Sequence, residues 1–541
     1  MTVNHKNMFA ATLLGGTAIV MASGASQAAD LPSRKAEPVS YVKICDAYGQ
    51  GFFVIPGTNT CVKIGAQAQI LYYAIPAQTT LDLAQSGKGG LSGASVNGAG
   101  LSGTKGIDYG TVNGGGIYQT AGTQDVTGTQ VDVRVRADAR TLTDYGVLRT
   151  YAGLRFKFET GIIAGSGTAL AANGEGGSES KIAIDSAFIQ YLGFTAGYVG
   201  NPFSFYYEDQ PVTALTDPHG SSTVLNYTLA LDNGISLIAG VDNPAFHIAK
   251  GSLTACCSGL DANAAHGGVG AKLGPFTWPD INLVARIDQP WGSAQIAGLV
   301  HPINVQVVNT DNALGGQLNV NLPSQNVHGS GFAVLGGIKF NLPTGDGDQL
   351  WFQGVYANGA LEALGVGGNQ GNLSYGSQTR LLGGFQRQDQ DAFAVASPIV
   401  AGSQSVALQN TTGFSGLLAF QHYFIADTLR GNLLASYVSI TPGNAVQNTD
   451  WLAGGLSKAQ EYKIGANLIW SPIKGMDIAG EVLYTKLQQK LTNDNNQFGV
   501  SAASCTPGAT VAPGSPTCNI LNGVKVSPGN VETALQITRR F

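Results

Sequence analysis

The sequence lacks the features that most directly mark a helical membrane protein, a nucleic-acid-binding protein or an enzyme. Beyond the N-terminus no segment approaches about 18 uninterrupted apolar residues, so membrane-spanning helices are not expected. Charged residues make up only 12% of the chain and the formal net charge is -5, so no basic excess favours a nucleic-acid partner. The seven histidines are scattered, and no Gly-x-Ser-x-Gly motif or other assembled catalytic set is present. We therefore predict no enzymatic activity, no metal site and no cofactor.

The N-terminus has the organisation of an export signal. Lys6 supplies a positive charge, residues 8–21 form a short apolar stretch interrupted by glycine, and Ser26-Gln27-Ala28 offers a small-x-small cleavage site. We predict a signal peptide over residues 1–28, followed by an N-terminal segment over residues 29–60. The mature chain is then expected in an oxidising compartment outside the cytoplasm.

The six cysteines are most simply interpreted as disulfide partners in that compartment. Cys45 and Cys61 bracket a loop that contains glycine and proline, and Cys505 and Cys518 bracket a second one. Both spacings predict a loop-closing disulfide. A metal site is the alternative, but no Cys-x-x-Cys spacing supports it. The adjacent pair 256–257 has two open interpretations, as free thiols or as members of another pairing.

What the sequence has in abundance is alternation of polar and apolar residues. In residues 131–140 every even position carries a charge and every odd position is a small or β-branched aliphatic. Residues 149–159 repeat the pattern with larger apolar groups, and a turn-prone stretch at 143–146 joins the two segments. Because successive side chains of a strand point to opposite faces, this hairpin has one charged and one apolar face. Strands of about ten residues with two such faces are typical of a membrane β-barrel with an aqueous interior.

The same period recurs along the chain and predicts an all-β fold, a 16-stranded antiparallel transmembrane β-barrel over residues 61–541. An even number of strands closes an antiparallel barrel without an edge, and sixteen strands leave room for water inside. Short periplasmic turns and long external loops are expected to connect them. The predicted strands cover residues 61–74, 129–141, 148–160, 181–192, 194–200, 222–231, 235–242, 281–288, 293–307, 330–341, 348–358, 414–424, 430–440, 462–471, 476–487 and 530–541.

The long connections between the predicted strands are polar and of low complexity. Residues 78–128, 359–412 and 492–529 are rich in Gly, Ser, Thr, Asn and Ala. Such a composition buries little apolar area, so we expect solvated external loops. Loops that adhere to a surface or a partner are the alternative. They would make the protein an adhesin or a structural outer-membrane barrel with little channel activity.

Four segments of the chain carry a recognisable pattern: CDAYGQGFFVIPGTNTC from Cys45 to Cys61, AFIQYLGFTAGY from Ala187 to Tyr198, PWGSAQIAG from Pro290 to Gly298, and the terminal ITRRF. These segments resemble the general porins of alphaproteobacteria, of the rhizobial and Brucella type. The resemblance implies an outer-membrane channel for passive diffusion of small hydrophilic solutes and ions, assembled as a homotrimer in contact with outer-membrane lipid. The chain departs from the family in its much longer glycine-rich loops.

Porins of this kind fold the loop after the fifth strand into the lumen, and residues 201–221 occupy that place. Four aromatic residues in this segment are too many for a purely solvated loop and predict packing against the inner wall. Opposed charges across a narrow neck would create a transverse field that favours charged or dipolar solutes. The expected constriction residues are Glu208, Asp209 and Asp217 on the loop and Arg134, Arg136, Arg149 and Arg155 on the wall.

Each of these arginines also has a simpler interpretation. Asp132, Asp138 and Glu159 alternate with them on the same predicted faces, so an arginine is able to neutralise a carboxylate beside it without any role in a constriction. Alternation predicts the face on which each arginine lies but not its height in the barrel.

Two expectations concern the membrane setting of the barrel. The terminal Phe541 fits the assembly signal that outer-membrane barrels of this kind carry, with an ordinary terminal strand as the alternative. Aromatic residues near predicted strand ends are expected either in interfacial girdles or in cross-strand packing. They include Tyr72, Tyr73, Trp291, Trp351 and Trp470.

Overall fold

A computed structural model of the chain describes residues 43–78, 95–96, 99–100, 127–161, 178–206, 215–218, 220–246, 269–309, 325–366, 391–396, 406–443, 458–490, 525–526 and 529–541. Strands predominate in these residues, and the helical elements are short 3₁₀ turns. No helix in the described ranges has the length and apolar character to cross a bilayer.

Sixteen long strands form a closed antiparallel barrel in which each strand pairs with its neighbours along the chain. The last strand closes on the first, with Leu535 opposite Tyr72, and the first pairs on its other side with the second. Closure removes the free edges that an open sheet would present. The strands are β1 Thr60–Gln78, β2 Thr127–Thr143, β3 Gly146–Gly161, β4 Ser178–Tyr191, β5 Phe194–Gly200, β6 Ser221–Ala230, β7 Ile235–Asp242, β8 Asp280–Gln289, β9 Gly292–Asn309, β10 Gln325–Asn341, β11 Gln349–Asn358, β12 Thr412–Ile425, β13 Leu429–Thr441, β14 Ala459–Ile473, β15 Met476–Lys490 and β16 Gly529–Arg540.

All sixteen predicted strands are confirmed, and most of them are longer than predicted. β10, for example, begins at Gln325, inside a polar stretch, where it still pairs with Val307 of β9. Strand pairing uses backbone groups, so it continues past the residues whose alternation predicts the strand.

The two ends of the barrel differ as predicted, with short turns at one end and long connections at the other. β4 and β5 are joined by Leu192 and Gly193 alone, both with positive φ of 52° and 86°. A two-residue hairpin of this kind suits glycine, which has no Cβ to oppose a positive φ. At the opposite end, the connection from β1 to β2 runs from Gln78 to Thr127.

Alternation separates the outer and inner faces of the barrel wall. On β2, Val131 and Val135 are 40% and 43% exposed, while Asp132 between them is 0% exposed. All sixteen strands contribute exposed large apolar side chains in this way. An apolar surface of this extent around a barrel suits a lipid environment rather than water.

The aromatic residues near the strand ends divide between the two faces. Tyr72, Trp291 and Trp470 are exposed on the outer face, where an interfacial girdle is expected. The girdle expectation is wrong for Tyr73 and Trp351, which are buried inside the barrel because their strand positions alternate inward.

The predicted disulfide between Cys45 and Cys61 is present, with 6.1 Å between its Cα atoms. Both cysteines are buried together with Phe52. The second predicted pair, Cys505 and Cys518, lies outside the described residues. So do the adjacent cysteines at 256–257.

The turn between β10 and β11 is organised around one buried carboxylate. Asp348 accepts hydrogen bonds from the Thr344 hydroxyl at 2.6 Å, the Tyr423 backbone N–H at 2.9 Å and His422 Nδ1 at 2.8 Å. Burial acts to raise the pKa of Asp348, but these hydrogen bonds outweigh it and hold the pKa below its ordinary value. The carboxylate therefore connects the β10–β11 turn to β12.

We expect Asp348→Asn to lower the free energy of unfolding at neutral pH by about 1–3 kcal/mol, because hydrogen bonds to a charged acceptor are lost. A carboxyl group with a depressed folded-state pKa stabilises fully above its unfolded pKa of about 4, and this contribution is lost as the pH falls through the folded pKa. The difference between the two proteins in denaturant unfolding should thus shrink from pH 7 to pH 3. The exposed Asp346 of the same turn supplies the control, Asp346→Asn. An Asp348→Asn deficit of equal size at both pH values would contradict the assignment.

Candidate functional site

A ladder of charged side chains lines the inner face of β2, β3 and β4. Asp185 joins two of its arginines: Arg134 Nη1 lies 3.1 Å from Asp185 Oδ1, and Arg136 Nη2 lies 3.0 Å from Asp185 Oδ2. Arg134 also contacts Asp132 at 3.1 Å. These guanidinium groups are partly exposed, whereas the carboxylates are more deeply buried. The cations therefore form the more accessible surface of this part of the wall.

A second cluster lies nearer the short turns and is centred on Asp138. Its carboxylate accepts from Arg140 Nη2 at 2.9 Å and from Arg149 Nη2 at 3.0 Å. The Arg149 guanidinium also lies 5.7 Å and 5.2 Å from the centroids of Tyr151 and Phe188, two stacked rings on the inner face. Cation–π contacts at these distances are attractive, so the rings help to hold the guanidinium.

Local pairing extends to the remaining basic residues of the ladder. Arg155 forms an ion pair with Asp132, and Lys157 and Lys181 lie 3.5 Å and 3.2 Å from Glu159. Each of the four predicted arginines thus has a carboxylate partner on the same part of the wall. The basic side chains of this wall outnumber the acidic ones, which leaves it positive. The basic members are Arg134, Arg136, Arg140, Arg149, Arg155, Lys157 and Lys181, and the acidic members are Asp132, Asp138, Glu159, Glu179 and Asp185.

The connection between β5 and β6 packs against side chains that point into the barrel. Residues 201–206 are buried almost throughout. Gln295 Nε2, from β9, lies within 3.1–3.3 Å of the carbonyl oxygens of Pro202, Phe203 and Ser204. Further along, the Tyr206 backbone N–H donates to Gln353 Oε1 at 3.1 Å. The first limb of this connection is therefore bound to the inner face of β9 and β11.

Aromatic packing reinforces that attachment. The rings of Phe205 and Tyr206 each lie 5.3 Å from the Trp351 ring in edge-on geometry. Arg286 of β8 lies over Phe205, with 5.6 Å from the guanidinium carbon to the ring centroid. Phe205 also rests directly on Gly337 of β10, where a Cβ atom would lie 2.3 Å from the ring. Phe205 and Tyr206 therefore show the predicted aromatic packing, and Tyr207 lies outside the described residues.

The second limb of the connection, residues 215–218, reaches a different part of the wall. The Thr216 backbone N–H donates to Ser436 Oγ of β13 at 3.0 Å, and the Ser204 hydroxyl donates to the Pro218 carbonyl, joining the two limbs. Gly365, with φ of 82°, lies so close that a Cβ there would be 2.1 Å from the Asp217 nitrogen. Asp217 is only 3% exposed, so it does not present its carboxylate to open lumen as the sequence predicts. The segment around Gly365 packs against the Asp217 backbone.

The height of each group along the barrel axis follows from its distance in residues to the short turns, which form one rim of the barrel. Gln295 and Gly337 lie three and four residues from the ends of β9 and β10 at that rim, and Arg140 and Arg149 lie three residues from the corresponding ends of β2 and β3. The limb of residues 201–206 and the Asp138 cluster are therefore at comparable heights. β2–β3 and β10–β11 are also eight strands apart in the ring of sixteen, which puts them on opposite sides. Arg134 and Arg155 lie roughly 15 Å further from the rim, given the rise per residue and the strand tilt.

Two predicted acidic residues, Glu208 and Asp209, lie outside the described residues. Phe541 is described: its backbone N–H and carbonyl pair with Ala66 at 3.0 Å and 2.8 Å, and its side chain is exposed. Its role as an assembly signal stays a prediction.

Sequence reasoning did not identify Asp185 or the acidic group on β14–β16. Glu461, Glu481 and Glu532 point inward and are buried near Lys463, which lies 3.3 Å from Glu461. Alternation on β14 contained a signal, because Glu461 and Lys463 share the polar face of that strand. Acidic side chains outnumber basic ones in this group, whereas basic side chains outnumber acidic ones on β2–β4.

A sequence profile of the family described as "Porin subfamily" matches residues 30–509. The putative outer membrane protein y4fJ of Sinorhizobium fredii is 27% identical over 234 residues, 43% of this chain and 53% of the relative. Porin Omp2a of Brucella ovis is 51% identical over 53 residues, 10% of this chain and 15% of the relative. The chain thus spans about half of the first relative and a small part of the second.

Two solved structures are similar over most of their length at low identity. The match to the outer membrane channel DcaP of Acinetobacter baumannii covers 89% of this chain and 98% of the DcaP chain, at 15% identity and a TM-score of 0.45. The match to OmpT of Vibrio cholerae in its trimer form covers 88% of this chain and 99% of the OmpT chain, at 9% identity and a TM-score of 0.38.

The family match extends over most of the sequence, from before β1 into the connection that precedes β16. The apolar outer face of the closed barrel and the outer-membrane relatives agree with it, and together they place the protein in the outer membrane. The chain therefore belongs to the porin subfamily.

Proposed function

We propose that this protein forms a water-filled channel through which small hydrophilic solutes and ions cross the outer membrane by passive diffusion. The observation that carries the proposal is the closed sixteen-stranded barrel with an apolar outer face and a charged inner wall. A barrel of this strand number encloses space for water, and charges along the wall make passage of polar solutes less costly. Such a channel has no catalytic step, so the proposal includes no enzymatic activity.

The proposed constriction lies between the segment of residues 201–221 and the positive wall of β2–β4. Two observations support this location. Residues 201–206 lie on the side of the barrel opposite β2–β3, and they are at about the same height along the barrel axis as Arg140 and Arg149. Glu208 and Asp209 are proposed as the acidic side, with Asp217 in a supporting position beneath Gly365. Arg134, Arg136 and Arg155 would then extend the positive surface from the neck towards the external end.

The proposal predicts discrete, ohmic conductance steps when the purified protein is added to a planar lipid bilayer. The physical reason is that an open aqueous lumen conducts ions in proportion to the applied voltage. Protein unfolded by heat before addition is the control and should give no steps. A folded protein that inserts without conducting would contradict the channel and favour the structural or adhesive alternative.

We further propose a homotrimer surrounded by outer-membrane lipid, as the resemblance to general porins implies. The large apolar side chains on the outer face of every strand supply surface for contact with lipid or with a second copy.

A further inference from the structure

The disulfide-closed loop of residues 45–61 lies on the inner side of the wall, at the end of the barrel with the short turns. Cys61 is the second residue of β1 and pairs with Arg140 of β2. The even positions Ile64 and Ile70 of β1 are exposed on the outer face, so the odd positions Cys61 and Lys63 point inward. Because the short turns of outer-membrane barrels face the periplasm, this position corresponds to the periplasmic mouth.

The loop folds back so that its aromatic side chains face the basic wall. The Cys45 backbone N–H donates to the Phe52 carbonyl at 3.0 Å, and Phe52 is 4% exposed. The Arg140 guanidinium carbon lies 4.9 Å from the Phe52 ring centroid and 5.8 Å from that of Tyr48. Lys63 Nζ lies 6.0 Å from the same Phe52 ring. One buried ring is therefore in contact range of two cations.

Arg140 is held from both sides by this arrangement. Its Nε and Nη2 donate to Asp138 at 3.2 Å and 2.9 Å, while its guanidinium carbon lies over the Phe52 ring. A free arginine side chain samples many rotamers, and fixing it localises its charge. Asp138 also binds Arg149, so the position of Arg140 affects the whole cluster at the height of the proposed neck.

We propose that the disulfide loop is a selectivity element of the channel, with Phe52 and Tyr48 as positioning residues that hold the Arg140 charge at the periplasmic mouth. The inference rests on the proposed channel function. The cross-link stabilises the contact, because it closes a loop whose cysteines are 16 residues apart and so reduces the conformational entropy that the loop would gain on opening. A localised cation at one mouth raises the local anion concentration and lowers that of cations.

The test uses the full-length protein in planar bilayers under a potassium chloride gradient. Arg140→Gln removes the charge and should move the reversal potential towards cation selectivity. Phe52→Leu keeps a buried apolar side chain and the disulfide but removes the aromatic face, and should move the potential in the same direction by a smaller amount. Combined Cys45→Ser and Cys61→Ser should do the same and raise the conductance by up to about twofold, because one mouth widens. The exposed loop residue Asn59 supplies the control, Asn59→Ala.

Unchanged reversal potentials for Phe52→Leu and for the double serine variant, alongside a shifted Arg140→Gln, would show that the loop is only structural and overturn the inference. An unshifted Arg140→Gln would overturn it as well, by placing that charge outside the ion path. Absence of conductance from the unmodified, folded protein would instead contradict the channel itself. Heat-dependent mobility on gels reports folding, and Phe52→Leu remains decisive if the double serine variant fails to fold.

Discussion

The substitution Gly337→Val is expected to lower the single-channel conductance by roughly half, because it displaces the segment of residues 201–206 towards the barrel axis. A Cβ atom at Gly337 would lie 2.3 Å from the Phe205 ring. β10 is hydrogen-bonded to strands on both sides, so the wall has little freedom to yield. The ring must therefore move by about 1 Å or more to regain ordinary contact, and the attached segment moves with it.

A matched control is available one residue away. Gly336 points to the outer face, and a Cβ atom there would meet nothing within 4 Å. Gly336→Val adds the same side chain to the same strand without touching Phe205, so its conductance should equal that of the unmodified protein. Equal conductance in Gly337→Val and Gly336→Val would mean that the packed segment does not border the ion path.

Neutralising two arginines of the wall, Arg134→Gln with Arg136→Gln, is expected to raise the cation-to-anion permeability ratio by about twofold or more. These two side chains are both bound to Asp185, at 3.1 Å and 3.0 Å. Their removal leaves Asp185 as a net negative charge on the inner wall, less than a Debye length from a passing ion and therefore not fully screened by salt. The reversal potential under a salt gradient measures the change.

Local pairing makes a neutral control possible for this experiment. Arg136→Gln combined with Asp185→Asn removes one positive and one negative charge and leaves the Arg134–Asp132 contact in place. We expect little change in selectivity from this pair. A shift as large as that of the double arginine variant would indicate disturbed wall structure rather than altered net charge as the cause.

The barrel was predictable from sequence because strand periodicity is a local property of the covalent chain. Val131 and Val135 face outward and Asp132 faces inward as a direct consequence of two-residue alternation. The same reasoning identified every one of the sixteen strands. The Cys45–Cys61 disulfide was predicted separately, from the spacing of the two cysteines and the expected oxidising compartment, without any indication of what the closed loop contacts.

The inner face of β4 shows where periodicity alone fails. The pairing of β3 with β4 shifts register between Gly153 and Leu154, and Asp185 is the extra residue. Ile184 and Ile189 are both exposed on the outer face although one position is even and the other odd. A bulge reverses the parity of all later positions, so Phe188 and Gln190 point inward. Whether a strand bulges depends on its partner, which its own sequence does not specify.

Alternation along the chain was sufficient to predict the sixteen strands, the inward and outward faces of most of them, and the basic residues on the inner face of β2 and β3. The three-dimensional fold was needed to show which carboxylate neutralises each arginine, that Phe205 packs on Gly337, and that Phe52 lies over Arg140. Alternation acts between neighbouring residues and can be read along the chain. These contacts join residues far apart in sequence, and they exist because ring closure and strand register bring distant segments to one height of the lumen.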